Sequence, residues 1–182
     1  RLGIICVFGA EDVPGYARGE KKGLEEAGRE LRYRFLHRAA RMCGCVRIAT
    51  AHHQQDQAET LVMRLARGTS VSGLRGIPVL NKPFIRPMLS LNRLQVEEYL
   101  ARNNISWVED DSNADCRFTR NHVRHKLMPV LEEVHAQAQK HMAQLAQQVS
   151  VDEDYWDTEV ERILQHGHFD AGEIRIPYSV LA

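Results

Sequence analysis

No apolar run in this chain of 182 residues approaches the roughly 18 that a helical membrane span requires, so no stretch of it is a candidate membrane-spanning helix. The opening, Arg1-Leu2-Gly3-Ile4-Ile5-Cys6-Val7-Phe8, is far too short for a secretory signal, and no initiator methionine precedes it. The expectation is a cytoplasmic protein whose chain is cut from something longer. Cysteine is scarce: Cys6, Cys43, Cys45 and Cys116. Cys43-Gly44-Cys45 has one intervening residue, not the two of redox and zinc-knuckle motifs, so reduced cysteines used mainly in packing are expected. There is no internal repeat and no low-complexity tract. A glycine-rich stretch, Gly68-Thr69-Ser70 and then residues 73–78, lacks the Lys-Ser/Thr ending of a P-loop. An excess of charge of either sign is missing too, since 24 Lys+Arg balance 24 Asp+Glu. That balance hides a division. Residues 1–129 carry 21 basic against 14 acidic side chains, and residues 130–182 carry 3 against 10. The basic first part keeps a nucleic-acid partner open.

Apolar runs at 4–8 and 46–51 read as strands, the second buried and central. Residues 24–43 have Leu24, Ala27, Leu31, Phe35 and Ala39 at helical spacing, with Gly44 as terminator. A loop through Pro14 and Gly15 is expected before them. Residues 58–67 repeat the helical pattern with Leu61, Val62 and Leu65. Strand, helix, strand, helix implies a parallel sheet with right-handed crossovers. Residues 84–88 read as extended. Ser90 is a candidate N-cap for a helix over 93–103. From Leu127 one long amphipathic helix is expected to run to Gln165, with something new beginning at Asp170. The fold class is thus α/β, a parallel sheet flanked by helices over residues 1–130, followed by a helical connector over 131–182.

The most informative stretch is Ala51-His52-His53-Gln54-Gln55-Asp56-Gln57-Ala58-Glu59-Thr60. It places two imidazoles and two carboxylates where a strand ends and a helix begins, the usual ligand position in open α/β sheets. Asp56 and Glu59, three apart, share a helix face. Such a cluster can hold hydrated magnesium and orient a nucleotide. It is equally the pattern of an acidic residue placed on the positive end of a helix dipole. A second cluster, Arg117 to Lys126, is the densest basic stretch. On a helix, Arg117, Arg120 and Arg124 form a comb suited to phosphates, or a solvated face neutralised by Glu109, Asp110, Asp111 and Asp115.

These motifs, in this order, resemble the tRNA(Ile)-lysidine synthetases among the PP-loop ATP pyrophosphatases. The likeness is carried by Leu24 to Tyr33, the His52 to Glu59 cluster, Arg67-Gly68-Thr69 through Gly73-Leu74, Ile85-Arg86-Pro87-Met88-Leu89, Glu109 to Asn113, and Arg120 to His125. It covers most of residues 1–135. The resemblance implies an incomplete adenine-nucleotide alpha-hydrolase-like fold. It also implies a reaction: ATP activates the C2 oxygen of the wobble cytidine of an isoleucine tRNA, and the amine of free lysine displaces AMP. It further implies Asp56 as a magnesium or lysine-amine ligand and Glu59 as a lysine-amine contact. His52 would touch the ATP phosphates or move a proton, and Arg32 and Arg124 would stabilise the adenylated intermediate and pyrophosphate. Arg29, Arg120 and Asn121 would bind substrate, the latter two at the anticodon loop or nucleotide. ATP and Mg would be the cofactors, with the tRNA(Ile) anticodon loop and lysine as partners and a homodimer left open.

The family's Ser-Gly-Gly-x-Asp-Ser phosphate loop is not found in this sequence. The expectation is that it lies upstream, that residues 1–8 are a strand from the middle of the sheet, and that this chain alone is inactive. Gly28 and His122 stand where the family usually has alanine and arginine. Three rivals remain open: a tRNA thiolation or amidotransferase relative, a metal-dependent hydrolase using His52, His53 and Asp56, and a non-catalytic tRNA-binding fragment.

Overall fold

The computed structural model describes residues 3–108, 119–170 and 173–180. The chain divides into two compact units, Arg1–His52 with Val79–Met88, and His53–Pro78 with Leu89–Ala182.

In the first unit, helix α1 (Val13–Glu20) occupies the place of the expected loop. The Asp12 side chain accepts the Gly15 N–H at 2.9 Å, and Pro14 falls in the first turn, where its missing donor costs nothing. What reads as a turn dipeptide is here a helix start. Helix α2 (Leu24–Met42) forms as its apolar spacing predicts, with Glu25 and Glu26 at its positive end. Gly44, at φ +65°, supplies the left-handed residue just beyond it. Ala27 and Leu31 of α2 are buried with Ala17 of α1. Glu30 ties the two helices together, accepting the Tyr16 hydroxyl at 2.8 Å and the Lys22 ammonium at 2.5 Å.

The sheet consists of β1 (Ile48–Ala49), β2 (Leu80–Asn81) and β3 (Phe84–Ile85), in the order β1-β3-β2. β1 and β3 are parallel, as the crossover order requires, and β2 and β3 form an antiparallel hairpin. The α/β class stands, with two corrections of detail. The sheet is mixed, and β3, not the 46–51 run, is the middle strand of the three. Both β1 and β2 bond to β3, whose buried Phe84 meets Tyr33 and His37 edge-to-face with ring centroids 4.7 and 5.1 Å away; in the 46–51 run Ile48 is buried but Val46 is exposed. Residues 4–8 are not a strand either. Apolarity alone does not make one: a strand needs a ladder partner, and among the described residues none pairs with this segment.

The second unit contains α3 (Gln54–Arg67), a 3₁₀ turn (Ser72–Arg75), α4 (Arg93–Arg102), α5 (Thr119–His122), a π-helical turn (Val123–Leu127), α6 (Met128–Val134) and α7 (Ala138–Leu164). A hairpin of β4 (His168–Asp170) and β5 (Glu173–Arg175) follows, near the point where a new element is expected. Asn92, not Ser90, caps α4: its Oδ1 accepts Gln95 N–H at 2.8 Å while Gln95 Oε1 accepts Asn92 N–H at 2.9 Å. The long helix expected from Leu127 is interrupted. His135 is extended, and its Nδ1 accepts the Gln137 N–H at 3.1 Å, so the backbone finds a local partner in place of a helical one. The core joins Ala58, Val123 and Met128, with Val62, Met63, Leu131 and Met142 packed around them. Cys6, Cys43 and Cys45 are free but exposed, so the expected packing role is not theirs; Cys116 lies outside the described residues.

Two predictions follow from the α1–α2 pair. A Cβ at Gly28 would meet only Val13 Cγ1, at an ordinary 3.6 Å. Replacing a mid-helix glycine there by alanine should stabilise the protein by about 1 kcal/mol, read as a higher urea midpoint; a lower midpoint would show that the space is not open. The second concerns Glu30. The hydrogen bonds from Lys22 and then Tyr16 hold its carboxyl below the ordinary value, and the bond to Glu30 holds Lys22 above its own. A depressed carboxyl contributes stability above its unfolded-state value and loses it as pH falls through the folded one. A raised ammonium contributes below its unfolded-state value and loses it as pH rises through the folded one. Glu30→Gln should therefore lower the midpoint most near neutrality and least in acid; an equal deficit at both would refute this.

Candidate active site

Helix α3 starts at the His52-His53 pair. His53 is extended, and its backbone N–H donates to Asp56 Oδ2 at 2.8 Å, so the third helical residue closes the first turn. The His53 ring lies beside the same oxygen, Nδ1 at 3.7 Å. Asp56 therefore does serve the helix start, as the dipole argument holds. Its other oxygen does something else.

Glu59, one turn later, is almost completely buried at 1% exposure, where an isolated carboxylate would be prohibitively costly. Two arginines from the α5 and π-turn segment answer it. Arg120 Nε donates to Glu59 Oε2 at 2.7 Å, and Arg124 donates Nε to Oε1 at 2.6 Å and Nη2 to Oε2 at 3.2 Å. Arg120 Nη2 also donates to Asp56 Oδ1 and to the Asp56 carbonyl, at 3.1 and 3.2 Å. Arg124 Nη2 approaches Asp56 Oδ1 to 3.5 Å. The result is a four-member network with the carboxylates on α3 and both arginine side chains about two-thirds covered. The basic comb thus turns two of its teeth onto α3; Arg117 lies outside the described residues, as do Glu109, Asp110, Asp111 and Asp115.

The widened turn explains how the comb reaches. A π turn bonds i to i+5, so residues five apart share a face. Val123 and Met128, five apart, are both buried against Ala58 of α3, which anchors the segment while Arg120 and Arg124 lie over Glu59.

Gln57, between the two carboxylates, is a functional-looking residue that pattern reading passes over. Its buried amide clamps the glycine loop after α3, donating to the carbonyls of Arg75 at 3.4 Å and Ile77 at 3.1 Å and accepting the Ile77 N–H at 2.5 Å. Gly76, at φ +62°, sits so close to Gln57 that a Cβ would collide with the amide oxygen. Arg64 holds the same loop through the Gly73 carbonyl, and Arg75 pairs with Asp154 and Asp157 of α7. A polar residue on the inward face of an amphipathic helix, followed by a glycine some twenty residues on, was the available signal.

His52, Arg29 and Arg32 belong to the first unit. His52 Nδ1 is 2.9 Å from Thr50 Oγ1, which orients the ring. Arg29 lies over the Tyr33 ring, 5.6 Å from its centroid, and Arg32 is exposed on α2. Asn121, half-buried, follows Arg120 on α5.

Asp56 as arranged does not fit a divalent cation. One carboxylate oxygen accepts the His53 N–H and the other accepts from Arg120 with Arg124 Nη2 at 3.5 Å, so neither is open enough to enter the octahedral oxygen shell a magnesium ion demands. Among the described residues no group of three or more His, Cys, Asp or Glu side chains could hold a metal, so the hydrolase alternative gains no ligand set. No helix among them is long and apolar enough to cross a membrane.

The family model for the PP-loop domain matches residues 3–131, a span holding the sheet, α3 and both arginines. The chain belongs to the PP-loop family. Curated relatives of this PP-loop chain are named tRNA(Ile)-lysidine synthase. That of Thermosipho africanus is 41% identical over 133 residues, covering 73% of this chain and 31% of the relative. That of Thermotoga maritima is 44% identical over 123 residues, covering 68% and 30%, and that of Geobacter sulfurreducens 38% over 157, covering 85% and 33%. The chain spans about a third of the length of these relatives.

The PP-loop network yields a stability prediction. Glu59→Ala should cost about 3 kcal/mol, since it leaves two partly desolvated guanidiniums facing an empty buried site. Arg120→Ala should cost less, because Arg124 still reaches both Glu59 oxygens. Urea unfolding of the two variants checks the order, and a larger loss for Arg120→Ala would mean the carboxylate is not the hub.

Proposed function

We propose that this chain acts in the ATP-dependent joining of lysine to C2 of the wobble cytidine of an isoleucine tRNA. The observation that carries the reading is coincidence in sequence: the stretch similar to tRNA(Ile)-lysidine synthases is the one that builds the Asp56–Glu59–Arg120–Arg124 network. In this reaction the C2 oxygen attacks the α-phosphorus of ATP and pyrophosphate leaves. The lysine amine then adds at C2, loses a proton, and expels AMP.

The network suits the two charged moments of that sequence. Asp56 is the more accessible carboxylate, its side chain 13% exposed against 2% for Glu59, and it is the group we assign to the lysine ammonium. A carboxylate there attracts the ammonium and can take its proton as the amine adds. Both Glu59 oxygens are already bound, so its role is to aim the two arginines. Their remaining N–H donors can meet the charge that develops on the departing AMP. His52, Arg32 and Arg29 remain assigned to ATP phosphate, intermediate and substrate on the resemblance alone. Magnesium belongs to the reaction as a partner of the ATP phosphates, not of Asp56, whose oxygens are taken by His53 and the arginines.

Asp56→Asn preserves shape while removing charge. In the protein carrying this chain it should lower lysine incorporation into an isoleucine tRNA by at least about a hundredfold, equivalent to roughly 2.7 kcal/mol. ATP–pyrophosphate exchange should fall much less. Near-normal lysine incorporation by Asp56→Asn would remove the residue from the mechanism.

A further inference from the structure

Arg120, expected at the anticodon loop or nucleotide, is turned with Arg124 onto a buried carboxylate, yet another set of arginines has no buried acid to answer. Between Glu30 and Asp56 the sequence has no acidic residue but five arginines, at 32, 34, 38, 41 and 47. Arg34, Arg38 and Arg41 have the i, i+4, i+7 spacing of one helix face. In the first unit that face lines a cleft of about 670 Å³ beside α1, together with His37, Tyr16 and Phe35. Glu11 and Glu20 line it as well, but Glu11 meets Arg38 only at 3.5 Å with both side chains about half exposed, a contact of little strength. The aromatic rings order the arginine heads: Arg34 lies 5.6 Å from the Tyr16 centroid and Arg38 5.8 Å from that of Phe35. The unit as a whole carries 12 basic against 6 acidic residues.

We propose that this cleft is an RNA-docking surface, in which Arg34, Arg38 and Arg41 follow the phosphates of one strand and Tyr16 or Phe35 offers a ring face to a base. Three guanidiniums spread over about 10 Å of helix match a chain of phosphates better than a single one. A flat lipid surface cannot enter a cleft walled by two helices, whereas a nucleotide strand can, and half-buried aromatic rings among arginines are groups on which unpaired bases stack. The inference rests on the tRNA-modifying reading above and adds to it a binding surface outside the Asp56–Glu59 network.

The test uses a fluorescein-labelled anticodon stem-loop of an isoleucine tRNA, with affinity read by anisotropy across a salt series. Arg38→Ala with Arg41→Ala should weaken binding at least about tenfold near 0.1 M salt. It should also flatten the slope of log affinity on log salt by about 1.4 to 1.8, the share of two phosphate contacts. Arg38→Lys with Arg41→Lys should retain most of both, and Arg102→Ala with Arg162→Ala should change neither. Arg34 is left in place because it packs on Tyr16, and melting curves confirm that each variant folds. Unchanged affinity and slope in the double alanine variant would overturn the proposal, as would absence of any RNA binding by the chain. So would displacement of the RNA by millimolar ATP, which would make the cleft a mononucleotide site. Asp56→Asn separates the two readings: it should leave RNA affinity intact while lysine incorporation falls. Normal incorporation in that variant with the arginine effect present would sink the mechanism alone.

Discussion

A carboxylate with 1% exposure has to be answered, and the second unit is arranged around the answer. Glu59 cannot be solvated where it sits, and Arg124 alone would reach Oε2 only at 3.2 Å, so Arg120 supplies that oxygen's short bond at 2.7 Å. Two arginines from a segment 61 and 65 residues away supply three hydrogen bonds to it and stretch across to Asp56. The hydrogen bond from the His53 N–H to Asp56 joins the same system to the start of α3. Moving α5 relative to α3 would break several charged contacts at once, so the network sets how these segments pack more sharply than their few apolar contacts do.

Two local departures from regular structure serve that arrangement. The π turn carries Val123 and Met128 to one core while the arginines keep to the carboxylate face. Regular α spacing would put Met128 about 140° around the helix from Val123, so one residue or the other would leave the core. On the other side of α3, Gln57 satisfies its buried amide entirely with loop backbone. The four successive residues 56–59 are thereby divided by chemistry: carboxylates to the arginines, amide to the glycine loop, and Ala58 to the core.

Legibility tracked how local the cause was. Helix α2 was readable because its apolar spacing, acidic start and Gly44 all lie within the segment. Helix α3 was readable in its body, and its first turn was hidden only because Gln54 and Gln55 give no apolar periodicity. Helix α1 was misread since Pro14-Gly15 is a turn dipeptide by composition and a helix start only with Asp12 as acceptor. The 4–8 run failed as a strand because pairing is a non-local condition that apolarity does not report. The partner choice of Arg120 and Arg124 was equally invisible: the nearby acids at 109–111 were the obvious candidates, and the real ones stand about sixty positions upstream.

The same residue type therefore does two different jobs here, and burial of the partner decides which. Arg120 and Arg124 face an almost fully buried carboxylate, so their charge is bound to structure and their remaining donors are aimed with little freedom. Arg38 faces a carboxylate that is itself hydrated, so exchanging that partner for a phosphate releases almost nothing in return. Counting arginines along the chain cannot tell these apart, and net charge is worse still, because the zero of the whole sequence conceals a first unit with twice as many bases as acids. A guanidinium fixed on a buried acid suits a transition state, where charge appears at one place. A guanidinium on a wet helix face suits a polyanion, where charge is repeated and must be found quickly and let go. The PP-loop chain separates the two along its sequence, with binding charge on α2 and positioning charge over α3.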